Sequence, residues 1–134
     1  VSASGVTFVK SEATMNTEWY NEAYRSGDVK ICEKITNPDR KISCKNNVIA
    51  GNAIKTKNIV LCNQITVEEE KIGCRNPLYS YEAVATNNIE LCKKIVGNDS
   101  YQNGCISKVT MNQIAQNNTG ILSVDMCKNI TDEF

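Results

Sequence analysis

The chain contains no histidine. A Ser–His or Cys–His nucleophile pair is therefore excluded, as is any zinc site that mixes imidazole with thiolate. No C-x-x-C pair occurs, which removes the close-set cysteines of zinc ribbons and thioredoxin-like redox motifs. An excess of one charge is missing too. Fifteen Lys and Arg balance fifteen Asp and Glu, leaving no electrostatic footprint for nucleic acid or anionic lipid. Apolar runs are short: Val48-Ile49-Ala50 and Ile59-Val60-Leu61 are among the longest, far below the roughly 18 residues that cross a bilayer. No Gly-rich phosphate loop is found. The opening Val1-Ser2-Ala3-Ser4 has no initiator Met and no basic n-region, so the numbering is expected to start after a processing boundary. The expectation is a non-enzymatic protein without metal or cofactor, with no nucleic-acid partner and no membrane insertion of this segment.

What the chain does have is cysteine, seven residues in 134. Without metal-ligand spacing, these read as cystines formed in an oxidising compartment: extracellular, cell-surface or periplasmic. Their positions repeat. Cys32, Cys62 and Cys92 are thirty residues apart, and Cys44, Cys74 and Cys105 follow at thirty and thirty-one. The flanks repeat with them. Val29-Lys30-Ile31-Cys32-Glu33-Lys34-Ile35 returns as Ile59-Val60-Leu61-Cys62-Asn63-Gln64-Ile65 and as Ile89-Glu90-Leu91-Cys92-Lys93-Lys94-Ile95. A degraded fourth copy runs from Val124 through Cys127 to Ile130.

Each copy opens with a cap residue (Asp28, Asn58, Asn88, Ser123) and a short helix whose apolar offsets one, three, four and seven include the cysteine. A second start signal follows: Asn37 before Pro38, the Thr66-Val67-Glu68-Glu69 capping box, and Asp99 with Gln102 three residues on. The helix after it is longer. Its apolar columns are Val48, Leu78, Val109; Trp19, Ile49, Tyr79; Ala23, Ala53, Ala83; and Tyr24, Ile54, Val84, Ala115. Gly27, Lys57 and Asn87 stand at the exit, where a left-handed residue is wanted and Lys suits least. Pro77 falls inside the second helix of its copy and is expected to kink or split it, at about 3 kcal/mol. The fold class read from this is all-α: an α-solenoid of disulfide-stapled short-helix/long-helix hairpins behind an extended segment, residues 1–10. Within a single domain, residues 11–27 form a capping long helix. Residues 28–57, 58–87 and 88–122 form repeats, and 123–134 a terminal half-repeat.

Geometry selects the cysteine pairs. Cys44 and Cys62 lie near opposite ends of one long helix, about 20 Å apart at 1.5 Å per residue. Equivalent cysteines of successive repeats are separated by a helix-packing distance of about 9–10 Å. Both exceed the roughly 7 Å between Cα atoms that a disulfide spans. Cys32–Cys44, Cys62–Cys74 and Cys92–Cys105 flank tight turns and are the pairs expected. Cys127 is left unpaired, its mate falling beyond Phe134. A longer parent chain, a buried free thiol and a bond to another molecule all remain open.

These cysteine-bridged helical pairs resemble the disulfide-linked αα repeats of the Helicobacter cysteine-rich proteins, a branch of the Sel1-like repeat group. The resemblance spans roughly residues 28–130 and is one of architecture. Those repeats are longer, with closer cysteines and Gly and Ala signatures that this chain lacks. The resemblance implies secretion and partner binding, and it carries no site residues across.

The outward columns vary between copies: Asn21, Gly51, Tyr81, Asn112; Glu22, Asn52, Glu82, Gln113; Arg25, Lys55, Ala85, Gln116. Tyr81 and Glu82, with Tyr20 and Asn112, form the candidate surface for a protein or glycan at the cell exterior. Of the cluster Trp19, Tyr20 and Tyr24, the first and last fall in apolar columns and suit a capping role, with Thr14 where later helices carry Cys. The function expected is a secreted or surface-displayed, non-catalytic binding or adhesion module. The runner-up is a subunit of an extracellular filament or surface layer assembled head to tail. Glu68-Glu69-Glu70 is accounted for by the helix dipole. Three formal glycosylation sequons begin at Asn98, Asn117 and Asn129, in keeping with an Asn-rich chain.

Overall fold

A computed structural model describes residues 9–117. Ser123, Cys127, the terminal half-repeat, the sequon at Asn129 and most of the expected extended N-terminal segment lie outside the described residues. The described part is all-helical, in the order α1 (Glu12–Ser26), η1 (Val29–Lys34), α2 (Pro38–Thr56), η2 (Ile59–Gln64), α3 (Glu68–Thr86), α4 (Ile89–Cys92) and α5 (Asp99–Asn117), η marking a 3-10 helix. Every contact joins elements that are next or next but one along the chain; α1 does not touch α3, and α2 does not touch α5.

The short elements are tighter than α-helices, for a reason legible in their sequence. Val29, Cys32 and Ile35 are three residues apart, as are Ile59, Cys62, Ile65 and Ile89, Cys92, Ile95. At three residues per turn these align on one side, so a 3-10 helix buries the stripe that an α-helix would smear. The side chains of Asp28, Asn58 and Asn88 accept the N–H two residues on, at 2.9, 3.1 and 3.1 Å. Each element ends with the buried Ile donating back to the Cys carbonyl, as from Ile35 to Cys32 at 3.1 Å. Only the third, α4, opens with a turn of α-helix.

The long helices start differently from one another. Asn37 caps α2 by accepting the Arg40 N–H, with Pro38 at the first position. The expected capping box at Thr66 is not formed. Val67 holds the cap position without a side-chain bond, because Thr66 is engaged by Asn46 instead. Asn98 and not Asp99 caps α5, accepting the Tyr101 N–H at 2.9 Å, while Gln102 donates to the Ile95 carbonyl. The exits are as expected: Gly27, Lys57 and Asn87 are left-handed, with φ of 76, 55 and 53°. Pro77 does not split its helix; α3 runs unbroken from Glu68 to Thr86 around it.

Three disulfides join Cys32 to Cys44, Cys62 to Cys74 and Cys92 to Cys105, with Cα atoms 5.8, 5.8 and 5.6 Å apart. Each is the centre of its own small core. Ala23, Ile35 and Val48 surround the first; Ala53, Ile65 and Leu78 the second; Ala83, Ile95 and Val109 the third. A core thus takes the end of one long helix, the short helix after it and the start of the next. The alanine is fully buried in all three, where a larger side chain would push the short helix away. Of the fourth apolar column, Tyr24, Ile54 and Ala115 are exposed, and Val84 alone packs against a core, the third.

A polar clamp accompanies each core. The Asn16 carboxamide accepts the Thr36 N–H at 3.0 Å and donates to its hydroxyl at 3.1 Å. Asn46 does the same for Thr66, and Asn76 brackets both backbone groups of Val96. One Asn per repeat thereby satisfies a turn that no regular structure pairs.

Candidate functional site

Repetition supplies an internal control: wherever one copy departs from the others, the cost of the departure can be read. On the outside of the α1–α2 junction, Gly27 leaves room for Asn52, whose amide donates to the Gly27 carbonyl at 2.9 Å. A Cβ on Gly27 would stand 2.8 Å from the Asn52 side-chain oxygen. At the α3–α5 junction the longer Gln113 reaches past Asn87 to its carbonyl at 3.2 Å. The α2–α3 junction breaks this plan. Lys57 carries a Cβ in the left-handed region, and the residue opposite is Glu82, a carboxylate with no proton to donate. The carbonyl lock of the other two junctions is lost here.

Two further departures lie beside it. Pro77 occupies the column of Asn47 and Lys108, and Tyr81 that of Gly51 and Asn112. Helical spacing puts Pro77, Ser80, Tyr81, Val84 and Ala85 on one stripe of α3. They floor an open depression of about 460 Å³, which Lys57 and Lys108 also line. Tyr81 is 53% exposed, and the Lys57 ammonium lies 4.4 Å from its ring centroid. That is a cation–π contact at an exposed site.

The charges here differ from those of the first junction. Arg25, in the groove beside Tyr24 and Gly51, is hydrogen-bonded to Glu22, and that bond raises its pKa. On η1, a hydrogen bond from Lys45 holds Glu33 below its ordinary pKa, opposed by slight desolvation and aided by Lys41. Lys57 and Lys108 are exposed, and among the described residues neither has a carboxylate partner.

Of the residues expected to form a binding surface, Tyr81 belongs to this depression, and Asn112 is exposed at the equivalent position of α5. Glu82 faces a neighbouring groove, with Asn63, Arg75, Tyr79 and Lys94. Tyr20 does not join them. It is half-buried against the first core, and its hydroxyl accepts a hydrogen bond from Asn47. Asn52 and Gln113, read as outward, are spent on the carbonyl locks. Lys57, Pro77 and Lys108 were not expected in a site. The first two show in the sequence as an ill-suited exit residue and a misplaced proline; only the fold brings them to one place.

The opposite side of the junctions repeats a milder theme. Lys34 lies 4.1 Å from the Trp19 ring and Lys94 5.8 Å from the Tyr79 ring, where the middle copy has Gln64 and Ile49. Because the lysine and the aromatic are replaced together, this pair serves packing. Among the described residues, no group of three or more carboxylates or thiols is placed to hold a metal ion, and no helix is long and apolar enough to cross a membrane. The three intrachain disulfides point to an oxidising, extracellular-type compartment. The chain matches no family model, no curated protein and no solved structure.

Proposed function

We propose that this chain is a secreted or surface-displayed binding module, non-catalytic, built as an α-solenoid whose neighbouring hairpins are stapled one by one. The architecture it resembles, that of the Helicobacter cysteine-rich repeats, is in keeping with such a role. One observation carries the reading: three residues unfavourable for stability converge on a single depression. A non-glycine residue in the left-handed region is strained by about 1–2 kcal/mol. A proline inside a helix costs about 3 kcal/mol. Tyr81 leaves about half of its surface in water and forgoes much of the gain that full burial of a tyrosine brings. Local rules broken together at one place mark a site kept for something other than stability.

The test is an array of extracellular proteins and glycans probed with labelled wild type and with Tyr81→Ala. Signals that Tyr81→Ala abolishes support the reading. Signals equal in the two proteins contradict it.

The filament reading meets resistance at α1. Where later long helices carry Cys44, Cys74 and Cys105, α1 has Thr14; where they bury Val48, Leu78 and Val109, it has Glu18. Glu18 is ion-paired with Lys10 at 2.7 Å. The face that a preceding short helix would have to cover is therefore polar at its two central positions, as a capping helix requires. Light scattering over a concentration series distinguishes the two readings: a constant mass supports the discrete module, a growing one the polymer.

A further inference from the structure

We infer that the depression over α3 takes an acidic peptide segment, an apolar side chain flanked by carboxylates. The inference rests on the binding-module reading and adds the chemistry of the partner. The floor is apolar, formed by Pro77, Val84 and Ala85 with the Tyr81 ring at its edge, and it suits an aliphatic or aromatic side chain. The cations beside that floor are Lys57 and Lys108. Both lack a carboxylate partner among the described residues, although the chain as a whole has as many acids as bases. Six other cations, Lys10, Arg25, Lys41, Lys45, Lys71 and Lys93, meet carboxylates; what sets Lys57 and Lys108 apart from the remaining unpaired cations is that both line one predominantly apolar floor. Two ammonium groups without a carboxylate partner, beside one apolar floor, are complementary to an anionic ligand with an apolar centre.

A saccharide is the poorer fit. Sugar hydroxyls need several neutral donors and acceptors at fixed positions, and of the lining side chains only Ser80 and Tyr81 carry hydroxyls, with no Asn, Gln or Asp among them. Lys57 also has a particular reason to be lysine. Gly27 and Asn87 meet the backbone requirement at the same position with less strain. Of the three exit residues only Lys57 carries a charge, and it reaches the Tyr81 ring, fixing the aromatic edge of the floor and presenting the ammonium beside it.

The test is an NMR titration of the isotopically labelled full chain at low ionic strength, where exposed ion pairs are least screened. Three probes are used: the capped peptide Glu-Glu-Leu-Phe-Glu-Glu, its neutral counterpart Gln-Gln-Leu-Phe-Gln-Gln, and a heparin-derived hexasaccharide. The acidic peptide is expected to shift the amides of Lys57, Tyr81, Val84 and Ala85. Lys57→Gln with Lys108→Gln should weaken it by about tenfold, as the loss of two exposed ion pairs predicts, whereas Lys30→Gln on η1 should leave it unchanged. Equal binding of the neutral peptide overturns the acidic requirement. Shifts at these amides with the hexasaccharide and not with the acidic peptide overturn the peptide assignment while leaving the binding site standing. If none of the three probes moves these amides, the inference and the site fall together.

Discussion

At the α1–α2 junction a glycine and an asparagine fit together, Gly27 leaving the space that the Asn52 amide fills and Asn52 satisfying the Gly27 carbonyl. At the α2–α3 junction the same two positions hold Lys57 and Glu82, and the bond is gone. Inside, the junctions are alike: an alanine, a disulfide, an isoleucine and one larger aliphatic side chain, all buried. The chain copies its cores and varies its outside. Because each core is separate, stability is set locally, and an outside departure at one junction is tolerated while its neighbours hold.

The equivalence of the interiors predicts the largest effect. Replacing Cys62 and Cys74 by Ser should cost about 3 kcal/mol in urea denaturation, the value for a loop of this length, and replacing Cys32 and Cys44 should cost the same. A marked inequality would break the comparison. Next comes the clamp. Asn46→Ala removes a buried side chain and leaves the part-buried Thr66 N–H without its partner, which should cost about 1–3 kcal/mol by thermal unfolding, more than Asn76→Ala, whose side chain is half-buried.

The outside predictions run the other way. Lys57→Gly should stabilise by about 1 kcal/mol, seen as a higher urea midpoint with unchanged slope, because it removes left-handed strain. Gly27→Lys at the first junction should destabilise, since its Cβ meets the Asn52 amide. Smallest is Glu82→Gln. By analogy with Gln113 and Asn87, it supplies a donor for the Lys57 carbonyl and should gain about 0.5 kcal/mol in the same assay.

Much of this architecture is legible in the sequence because cysteine spacing is a distance constraint. Thirty-residue periodicity fixes which helices are equivalent, and helical rise then leaves one pairing for six of the seven thiols. The αL exits and the buried alanine column follow from the same alignment. Other features are not legible, because they depend on competition between neighbours. Thr66 looks like a cap until Asn46, twenty residues earlier, takes it. Asn16, Asn46 and Asn76 recur at thirty residues, yet polar residues in a polar chain do not announce that the first two are buried and the third half-buried. Asn52 and Gln113 read as solvent-facing, since nothing local says that a carbonyl of the preceding helix is within reach. The candidate site is half visible: of its lining residues only Tyr81 stands in the expected surface, Lys57 and Pro77 show as separate local misfits, and Lys108 carries no signal.

The central claim is that the α2–α3 junction gives up stability that the α1–α2 junction keeps. The most direct test carries the first junction's residues into the second, as Lys57→Gly, Pro77→Asn and Glu82→Asn in one chain, and measures the urea midpoint against wild type. A higher midpoint is predicted, with all three disulfides intact. A midpoint equal to or below wild type would contradict the account.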